Sequence, residues 1–378
     1  MTHRSTPHLR HLALTVTCTL LILSGLSSAM NTAYAQARAY VANNSDHTVS
    51  VIDTVTNTVT TTIPIAGFPL DVAITPDGTR AYVTNATVFD PGSVSVIDTA
   101  TNTVIATIPN ISFPFAIAVA PNGARVYVTS GDPARIVVID TATNTVIANI
   151  FAGILPFGLA VTPDGTRLYV ADQVAKTVSV IDTTTNNVIA TIPVANGARR
   201  LAITPDGTRA YVTNFDFNSS VSVIDTTTNT VIATIATGSN AISFSDQGIA
   251  ITPDSTRAYV TNSLADTVFV IDTATNTVVA TIPMGTFALP RGVAVTPDGL
   301  RVYVVNQGFG AVAVIDTTTN AVITSVPVGG NPLGIAIMPS TAPTTKDECK
   351  NGGYKNFLPS AGPFKNQGQC IKSVTSAH

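Results

Sequence analysis

The segment Thr204-Pro-Asp-Gly-Thr-Arg-Ala-Tyr-Val-Thr-Asn214 decides the fold, because it recurs along the chain in register with a second motif, Val-Ile-Asp-Thr. Another full copy of the first motif runs from Thr75 to Asn85. The aspartate of the second motif occurs seven times, at spacings of 42 to 47 residues. These positions are Asp53, Asp98, Asp140, Asp182, Asp225, Asp272 and Asp316. A fixed period of this length is typical of repeat architectures in which each copy forms one small unit.

Each repeat predicts four short strands, named A to D in chain order. In the second repeat, strand A ends at Ile74, and Pro76-Asp77-Gly78 provides the residues of a tight turn into strand B. Strand C ends at Asp98, and strand D is stopped by Pro109. Val, Ile, Thr and Tyr fill these strands on both faces, so we expect each sheet to be covered by its neighbours. The sequence therefore predicts an all-β, seven-bladed β-propeller of four-stranded antiparallel blades.

The two ends of the repeat region predict how the ring closes. The first repeat begins with a strand B, Ala37 to Val41, and has no strand A before it. An additional strand A, Leu333 to Met338, follows the seventh strand D. We expect this C-terminal strand to complete blade one, since an unclosed ring would expose a sheet edge.

The Tyr-Val-Thr-Asn copies that end at Asn85, Asn214 and Asn262 resemble the YVTN-repeat β-propeller family, which includes surface-layer propellers. The resemblance covers roughly residues 37 to 340. It implies an exported or surface-displayed propeller, often of unassigned activity. A fold transfers well through such a resemblance and a function transfers poorly.

The sequence predicts three segments: a signal, a propeller and a C-terminal tail. Residues 1–35 read as a secretory signal, with Arg4 and Arg10 before an apolar stretch and a small-residue cleavage site at Ala33-Tyr34-Ala35. Residues 36–340 form the propeller. Residues 341–378 form a tail, which is similar to a short cysteine-paired extension on secreted bacterial proteins. Cys349 and Cys370 are expected to form a disulfide there.

Composition excludes several classes of protein. Charged residues make up 11% of the 378 residues, and the formal net charge is −3. These values exclude a coiled coil and a charge-rich disordered chain. Lys176 is the only lysine in the propeller region, so nucleic acid is not expected as a partner. The apolar stretch of the signal is too short for a membrane span, and none is expected in the mature chain.

The inventory of catalytic side chains is small. After the signal, histidine occurs only at His47 and His378. Two histidines are too few for a multi-histidine metal site and disfavour a Ser-His-Asp triad. The propeller region contains no glutamate, which disfavours lactonase-like propellers that use glutamate as base or metal ligand. No catalytic residue, cofactor or metal site is predicted. The recurring aspartates are expected to cap turns.

Variation between repeats indicates where recognition occurs. The A–B and C–D turns are nearly invariant, whereas the B–C and D–A loops differ in length and chemistry. Eleven of the 14 phenylalanines fall in or beside these variable loops. The rings either fill grooves between blades or form a recognition surface.

The start of strand A, nearest the ring axis, predicts a ligand site. Aligning the repeats brings seven residues to one position, apolar in four consecutive blades and polar in three. A second position contributes Asp71 and Arg200. The predicted ligand-binding residues are Leu70, Asp71, Phe115, Phe157, Arg199, Arg200, Gln247, Arg291 and Leu333. Such a mouth suits an anionic or amphiphilic ligand. The alternative is that Asp71 and the arginines only neutralise each other or bind chloride and water.

The sequence thus favours a secreted, periplasmic or cell-surface binding scaffold for an extracytoplasmic ligand, which would be an anionic small molecule, a glycan or a peptide. The alternative is an extracytoplasmic hydrolase or lyase that acts at the axial mouth. An enzyme would require a proton-transferring group that converges with the arginines, so Asp71 would face the channel, whereas a scaffold would present a shallow aromatic face.

Overall fold

The computed structural model describes residues 37–88, 91–215, 219–237 and 248–339. It contains seven four-stranded antiparallel sheets. The fold prediction is confirmed, including ring closure, since the last strand pairs with the first. A short 3-10 helix, Gln307–Phe309, is the only helix in these described ranges.

The strands of the first four blades come first. Blade 1 contains β1 (Arg38–Asn43), β2 (Thr48–Asp53), β3 (Thr58–Pro64) and, as its strand A, β28 (Pro332–Ile337). Blade 2 contains β4 (Phe68–Ile74), β5 (Arg80–Ala86), β6 (Gly92–Asp98) and β7 (Thr103–Ile111). Blade 3 contains β8 (Pro114–Val119), β9 (Arg125–Gly131), β10 (Ala134–Asp140) and β11 (Thr145–Ile150). Blade 4 contains β12 (Pro156–Val161), β13 (Arg167–Asp172), β14 (Thr177–Asp182) and β15 (Val188–Pro193).

The remaining three blades follow the same order from strand A to strand D. Blade 5 contains β16 (Gly197–Ile203), β17 (Arg209–Phe215), β18 (Ser220–Asp225) and β19 (Thr230–Ala236). Blade 6 contains β20 (Ile249–Ile251), β21 (Arg257–Asn262), β22 (Thr267–Asp272) and β23 (Thr277–Pro283). Blade 7 contains β24 (Pro290–Val295), β25 (Arg301–Asn306), β26 (Ala311–Asp316) and β27 (Ala321–Pro327).

The hydrophobic core lies between neighbouring blades. In one cluster Tyr40 and Val51 of blade 1 pack with Val83 and Ile97 of blade 2, and all four side chains are fully buried. Burying an aliphatic side chain of this size stabilises the fold by about 1.5–3 kcal/mol. Each blade is therefore stabilised by the faces of its two neighbours.

Strand D departs from the expectation that every strand is covered on both faces. Ile105, Ile147 and Ile189 on the outermost strands are about half exposed, at 50, 51 and 51%. Strands B and C, by contrast, are buried along most of their length. The expectation is wrong for strand D because it forms the outer edge of the blade, where no further strand covers it.

The recurring arginine and tyrosine of strand B join each blade to a neighbour. The arginine donates from Nη1 to the carbonyl oxygen of the threonine after strand C, as Arg257 does to Thr317 at 2.8 Å. All seven blades make this bond. One link joins Arg301 of blade 7 to Thr54 of blade 1, across the point where the chain ends meet.

The tyrosine hydroxyl donates to the side chain of the asparagine in the same C–D turn, as Tyr211 does to Asn276 at 2.9 Å. That asparagine has a positive φ in every blade, 54° at Asn276, a conformation that asparagine tolerates better than most residues. Six tyrosines make the bond. Tyr127 is the exception, and Oδ1 of its counterpart Asn186 is buried without a hydrogen-bond partner.

The aspartate that ends strand C caps the C–D turn. Asp98 Oδ1 accepts hydrogen bonds from the backbone N–H of Thr101 at 2.8 Å and from its hydroxyl at 2.9 Å. These bonds to Thr101 lower the pKa of Asp98 below its ordinary value of 3.8. The same cap recurs at Asp140, Asp182 and Asp272. The repeated aspartates thus hold turns, which explains their fixed position in the sequence.

We expect deletion of residues 333–378 to expose the edge of β1, because β28 is its only partner on that side. The shortened protein should aggregate or melt at a much lower temperature, as measured by circular dichroism. Deletion of residues 344–378 removes no strand and should leave the melting temperature nearly unchanged. Equal tolerance of both deletions would contradict this mode of closure.

Replacing Tyr211 by Phe should lower the free energy of unfolding by about 1–3 kcal/mol, because Asn276 Oδ1 would lose its donor in a partly buried site. Tyr127→Phe is the matched control, since that hydroxyl does not bond to Asn186. Urea denaturation measures both values. An equal loss in the two variants would show that the hydrogen bond is not the cause.

Candidate functional site

A β-bulge in strand A places the candidate residues at the ring axis. In blade 2 the pairing of β4 with β5 shifts register between Pro69 and Asp71. Equivalent shifts occur next to Phe115, Phe157, Arg199 and Arg291. A bulge leaves one residue outside the ladder and redirects its side chain. The same irregularity in these five blades therefore forms the axial mouth.

The threonine of Tyr-Val-Thr-Asn holds this bulge. Thr84 Oγ1 accepts a hydrogen bond from the backbone N–H of Asp71 at 3.0 Å and donates to the carbonyl of Phe115 in the next blade at 3.1 Å. Thr129 makes the same pair of contacts, with Ala116 at 2.9 Å and Phe157 at 2.9 Å. These hydroxyls fix neighbouring mouth residues relative to each other.

The mouth opens into a cavity of about 450 Å³. Its lining includes every predicted site residue except Gln247, which lies outside the described residues. Phe115 and Phe157 form the apolar wall, with ring centroids 4.5 Å apart and planes at 22°. A cavity of this size is ordinary for a small-molecule site. That these residues bind a ligand stays a prediction.

An ion pair crosses the cavity between distant blades. Arg200 of blade 5 donates to Asp71 of blade 2, with Nη1 2.7 Å from Oδ2. Their side chains are 24% and 14% exposed. This contact agrees with the alternative in which Asp71 neutralises an arginine. It also brings a carboxylate and a guanidinium together in a concave site, which the enzyme interpretation requires.

Arg199 lines the cavity and packs against aromatic rings. Its guanidinium carbon lies 4.6 Å from the ring centroid of Phe157 and 5.0 Å from that of Phe215, and the residue is only 8% exposed. Both distances are typical of cation–π contacts. Arg199 therefore packs against two aromatic rings in the lining of the cavity, and its role in ligand binding stays a prediction.

Arg291 provides the other partly exposed positive charge of the cavity. Its Nε donates to Gln307 Oε1 at 2.6 Å, and Gln307 in turn donates to Asn331. Asn331 donates to Asn44 Oδ1 at 3.2 Å, so a polar chain leads from the cavity to the loops of blade 1. Sequence reasoning missed Gln307 and Asn331, because both lie in variable loops where no repeat marks them.

Four phenylalanines are exposed in the variable loops around the mouth. Phe113, Phe151, Phe287 and Phe309 are 58, 70, 75 and 52% exposed. Phe113 and Phe287 also have positive φ angles of 45° and 66°, which are strained for bulky residues. Exposed and strained rings favour a recognition surface over groove filling at these positions.

His47 Nδ1 lies 2.6 Å from the carbonyl oxygen of Gly67, away from the cavity lining. Within the described ranges, no group of three His, Cys, Asp or Glu side chains is arranged to hold a metal ion. No helix in those ranges has the length and apolar character needed to cross a membrane. Cys349 and Cys370 lie outside them, so their disulfide stays a prediction.

Part of the chain matches a family model of known proteins. Residues 183–324 match the family model described as lactonase, 7-bladed beta-propeller, and this segment contains Arg199, Arg200 and Arg291. The match runs against the inference drawn from the missing glutamate, which had disfavoured lactonase-like propellers. No curated protein matches the chain.

Several solved structures share the fold. Hydrazine synthase of Kuenenia stuttgartiensis is 23% identical at a TM-score of 0.63, with 70% of this chain and 88% of that chain covered. A functionally unassigned protein from Desulfotomaculum acetoxidans has 20% identity and a TM-score of 0.68, covering 79% and 98%. A candidate 6-phosphogluconolactonase from Bacteroides uniformis has 16% identity and a TM-score of 0.66, covering 80% and 99%. At these identities the likeness shows the fold alone.

Replacing Asp71 by Asn should strengthen binding of sulfate in the cavity by about tenfold. The carboxylate neutralises Arg200, and a unit charge at this range contributes on the order of 1–3 kcal/mol at a protein surface. Isothermal titration calorimetry at low salt measures the change. Asp164→Asn is the control, because Asp164 lies in an A–B turn. Equal affinities in the three proteins would contradict an anion site at Arg200.

Proposed function

We propose that this protein is an enzyme-like propeller that hydrolyses a small lactone or related ester at the axial cavity. The observation that carries the proposal is the convergence of Asp71 with Arg200 in one cavity that Arg291 also lines. The match of residues 183–324 to a lactonase family model supports the reaction class. The product of lactone opening is a carboxylate, which suits a site lined by arginines.

The cavity residues suggest how the reaction is divided among them. Asp71 accepts a proton from a water molecule that adds to the ester carbonyl carbon, as a general base does. Arg291 or Arg200 donates hydrogen bonds to the carbonyl oxygen as its negative charge develops. The bond between the carbonyl carbon and the ring oxygen then breaks, and the ring oxygen takes the proton from Asp71. The products are a hydroxyl group and a carboxylic acid, and the acid releases its proton to the solvent to become a carboxylate.

The apolar wall suggests the rest of the substrate. Phe115 and Phe157 stack on the side of the cavity away from Arg291, so an alkyl or aryl substituent beside the ester would pack against them. We further propose, from the signal-like residues 1–35 and the Tyr-Val-Thr-Asn copies, that the protein is a YVTN-repeat propeller that works outside the cytoplasm.

A second candidate function is binding without turnover, as a secreted or surface scaffold. The supporting observation is that Asp71 is already held by Arg200 and accepts the backbone N–H of Val72 at 3.0 Å, which restricts its action as a base. The exposed phenylalanines would then extend the recognition surface beyond the cavity.

The mature protein should release protons from a panel of alkyl-substituted lactones in a pH-stat assay. Asp71→Asn should lower kcat by about 10²–10⁴, as expected when a general base is lost. Arg291→Gln should lower kcat/KM by roughly ten- to a hundredfold, through loss of a charge-assisted contact. Arg209→Gln is the control, because Arg209 joins blades and its loss should affect stability alone.

Calorimetry with the corresponding hydroxy acids separates the two candidates. If the parent binds these acids but hydrolyses no lactone, and Arg291→Gln weakens the binding, the scaffold function is correct and the enzyme proposal is wrong. If the parent neither binds nor hydrolyses any member of the panel, both functions are wrong for this ligand class.

A further inference from the structure

The surface opposite the axial mouth is formed by the A–B and C–D turns of all blades, and we call it the turn face. Its charged residues are almost entirely those of the repeat. Twelve aspartates and seven arginines lie there, which leaves five negative charges. They are Asp53, Asp77, Asp98, Asp140, Asp164, Asp182, Asp206, Asp225, Asp254, Asp272, Asp298, Asp316, and Arg38, Arg80, Arg125, Arg167, Arg209, Arg257, Arg301.

The two signs of charge are not equally available on the turn face. Every one of the seven arginines directs Nη1 at a carbonyl oxygen of another blade, as Arg38 does to Thr99 at 3.0 Å. The five aspartates of the A–B turns are exposed, and their carboxylates accept hydrogen bonds from their own turns. The turn face therefore presents carboxylates to the solvent around the ring.

The exposed aspartates line grooves between adjacent A–B turns. One groove of about 480 Å³ is lined by Pro163, Asp164 and Asp206, and another of about 500 Å³ by Pro253, Pro297, Asp254 and Asp298. A lysine side chain matches such a groove, because its methylene stem packs on a proline ring while its ammonium group reaches a carboxylate.

The chain leaves the propeller at this same face. After β28, the backbone N–H of Met338 donates to the carbonyl oxygen of Arg38, at the position where the other blades enter their A–B turn. A Cβ built on Gly78 would lie 3.4 Å from Met338 Cγ, so the exit point touches the turn that contains Asp77. The last described residues thus lie next to the turn of Asp77, one of the exposed aspartates, and residues 340–378 continue the chain from this point.

The sequence of that exiting segment complements the face in charge. Five of the six lysines of the whole chain lie in it, against two acidic residues, Asp347 and Glu348. The lysines are Lys346, Lys350, Lys355, Lys365 and Lys372. Lys346 is seven residues beyond Pro339, so an extended chain carries it up to about 24 Å from the exit point.

We propose that the C-terminal segment, residues 340–378, binds to the turn face of its own propeller, with its lysines in the grooves between A–B turns. Tethering raises the effective concentration of the segment, so contacts that are individually weak hold it in place. The proposal concerns a surface separate from the axial cavity, and it is independent of whether that cavity binds a lactone.

Zero-length carbodiimide cross-linking of the intact mature protein, followed by peptide mapping, tests the contact. We expect links at low salt between lysines of the segment and Asp77, Asp164, Asp206, Asp254 or Asp298. Raising the sodium chloride concentration to about 0.5 M should abolish them, because the Debye length at that ionic strength is only about 4 Å. Lys176 is the internal control, since it lies on the loop face and should form no such link.

A variant with these five aspartates changed to Asn should lose the links while keeping its fold. The chain itself shows that Asn is accepted, because Asn122 occupies the same turn position in blade 3 and accepts the N–H of Ala124 at 3.0 Å. Circular dichroism and the melting temperature check the fold. Unchanged cross-linking in the variant, or equally frequent links to Asp46 and Asp132 on the loop face, would overturn the proposal.

A mixture of isotope-labelled and unlabelled protein distinguishes the source of each link. Links within one chain support the proposal. If all links join a labelled chain to an unlabelled one, the segment binds a second copy and the proposal is wrong.

Discussion

The hydrogen bonds from the arginine and tyrosine of strand B to the C–D turn of another blade are the interaction on which the ring depends. Each blade buries its faces against two neighbours, yet apolar packing alone has no direction and would allow blades to slide. The guanidinium and the hydroxyl bind two points of one turn, as Arg209 and Tyr211 do at Thr273 and Asn276. The arginine bond occurs in all seven blades and the tyrosine bond in six, and Arg301 joins blade 7 to blade 1 at Thr54.

Because the turn face is fixed in this way, the opposite face is free to vary. The bulge at the start of strand A and the threonine that holds it are common to several blades, while the side chains presented there differ. The ion pair between Asp71 and Arg200 is possible only because the scaffold places blades 2 and 5 across the axis from each other. The same scaffold leaves Phe115 and Phe157 stacked on one wall.

The functional interpretation changes with the structure. Composition alone favoured a binding scaffold, since the propeller region lacks glutamate and is poor in histidine. The cavity instead brings an aspartate next to arginines, and residues 183–324 match a lactonase family model. Together these findings favour an enzyme-like propeller over a scaffold.

The sequence alone determined the seven blades, their four strands and the closure by a C-terminal strand, because each follows from local turn chemistry repeated at a fixed period. It also brought Leu70, Phe115, Phe157 and Arg291 to one ring position by alignment of the repeats. Only the tertiary structure decided what those residues contact. Arg199 is stacked between two rings, whereas its neighbour Arg200 spans the cavity to Asp71, and Gln307 and Asn331 join the site from variable loops. Such contacts link residues of different blades that are far apart in sequence. A local sequence pattern cannot predict which side chains meet across the ring.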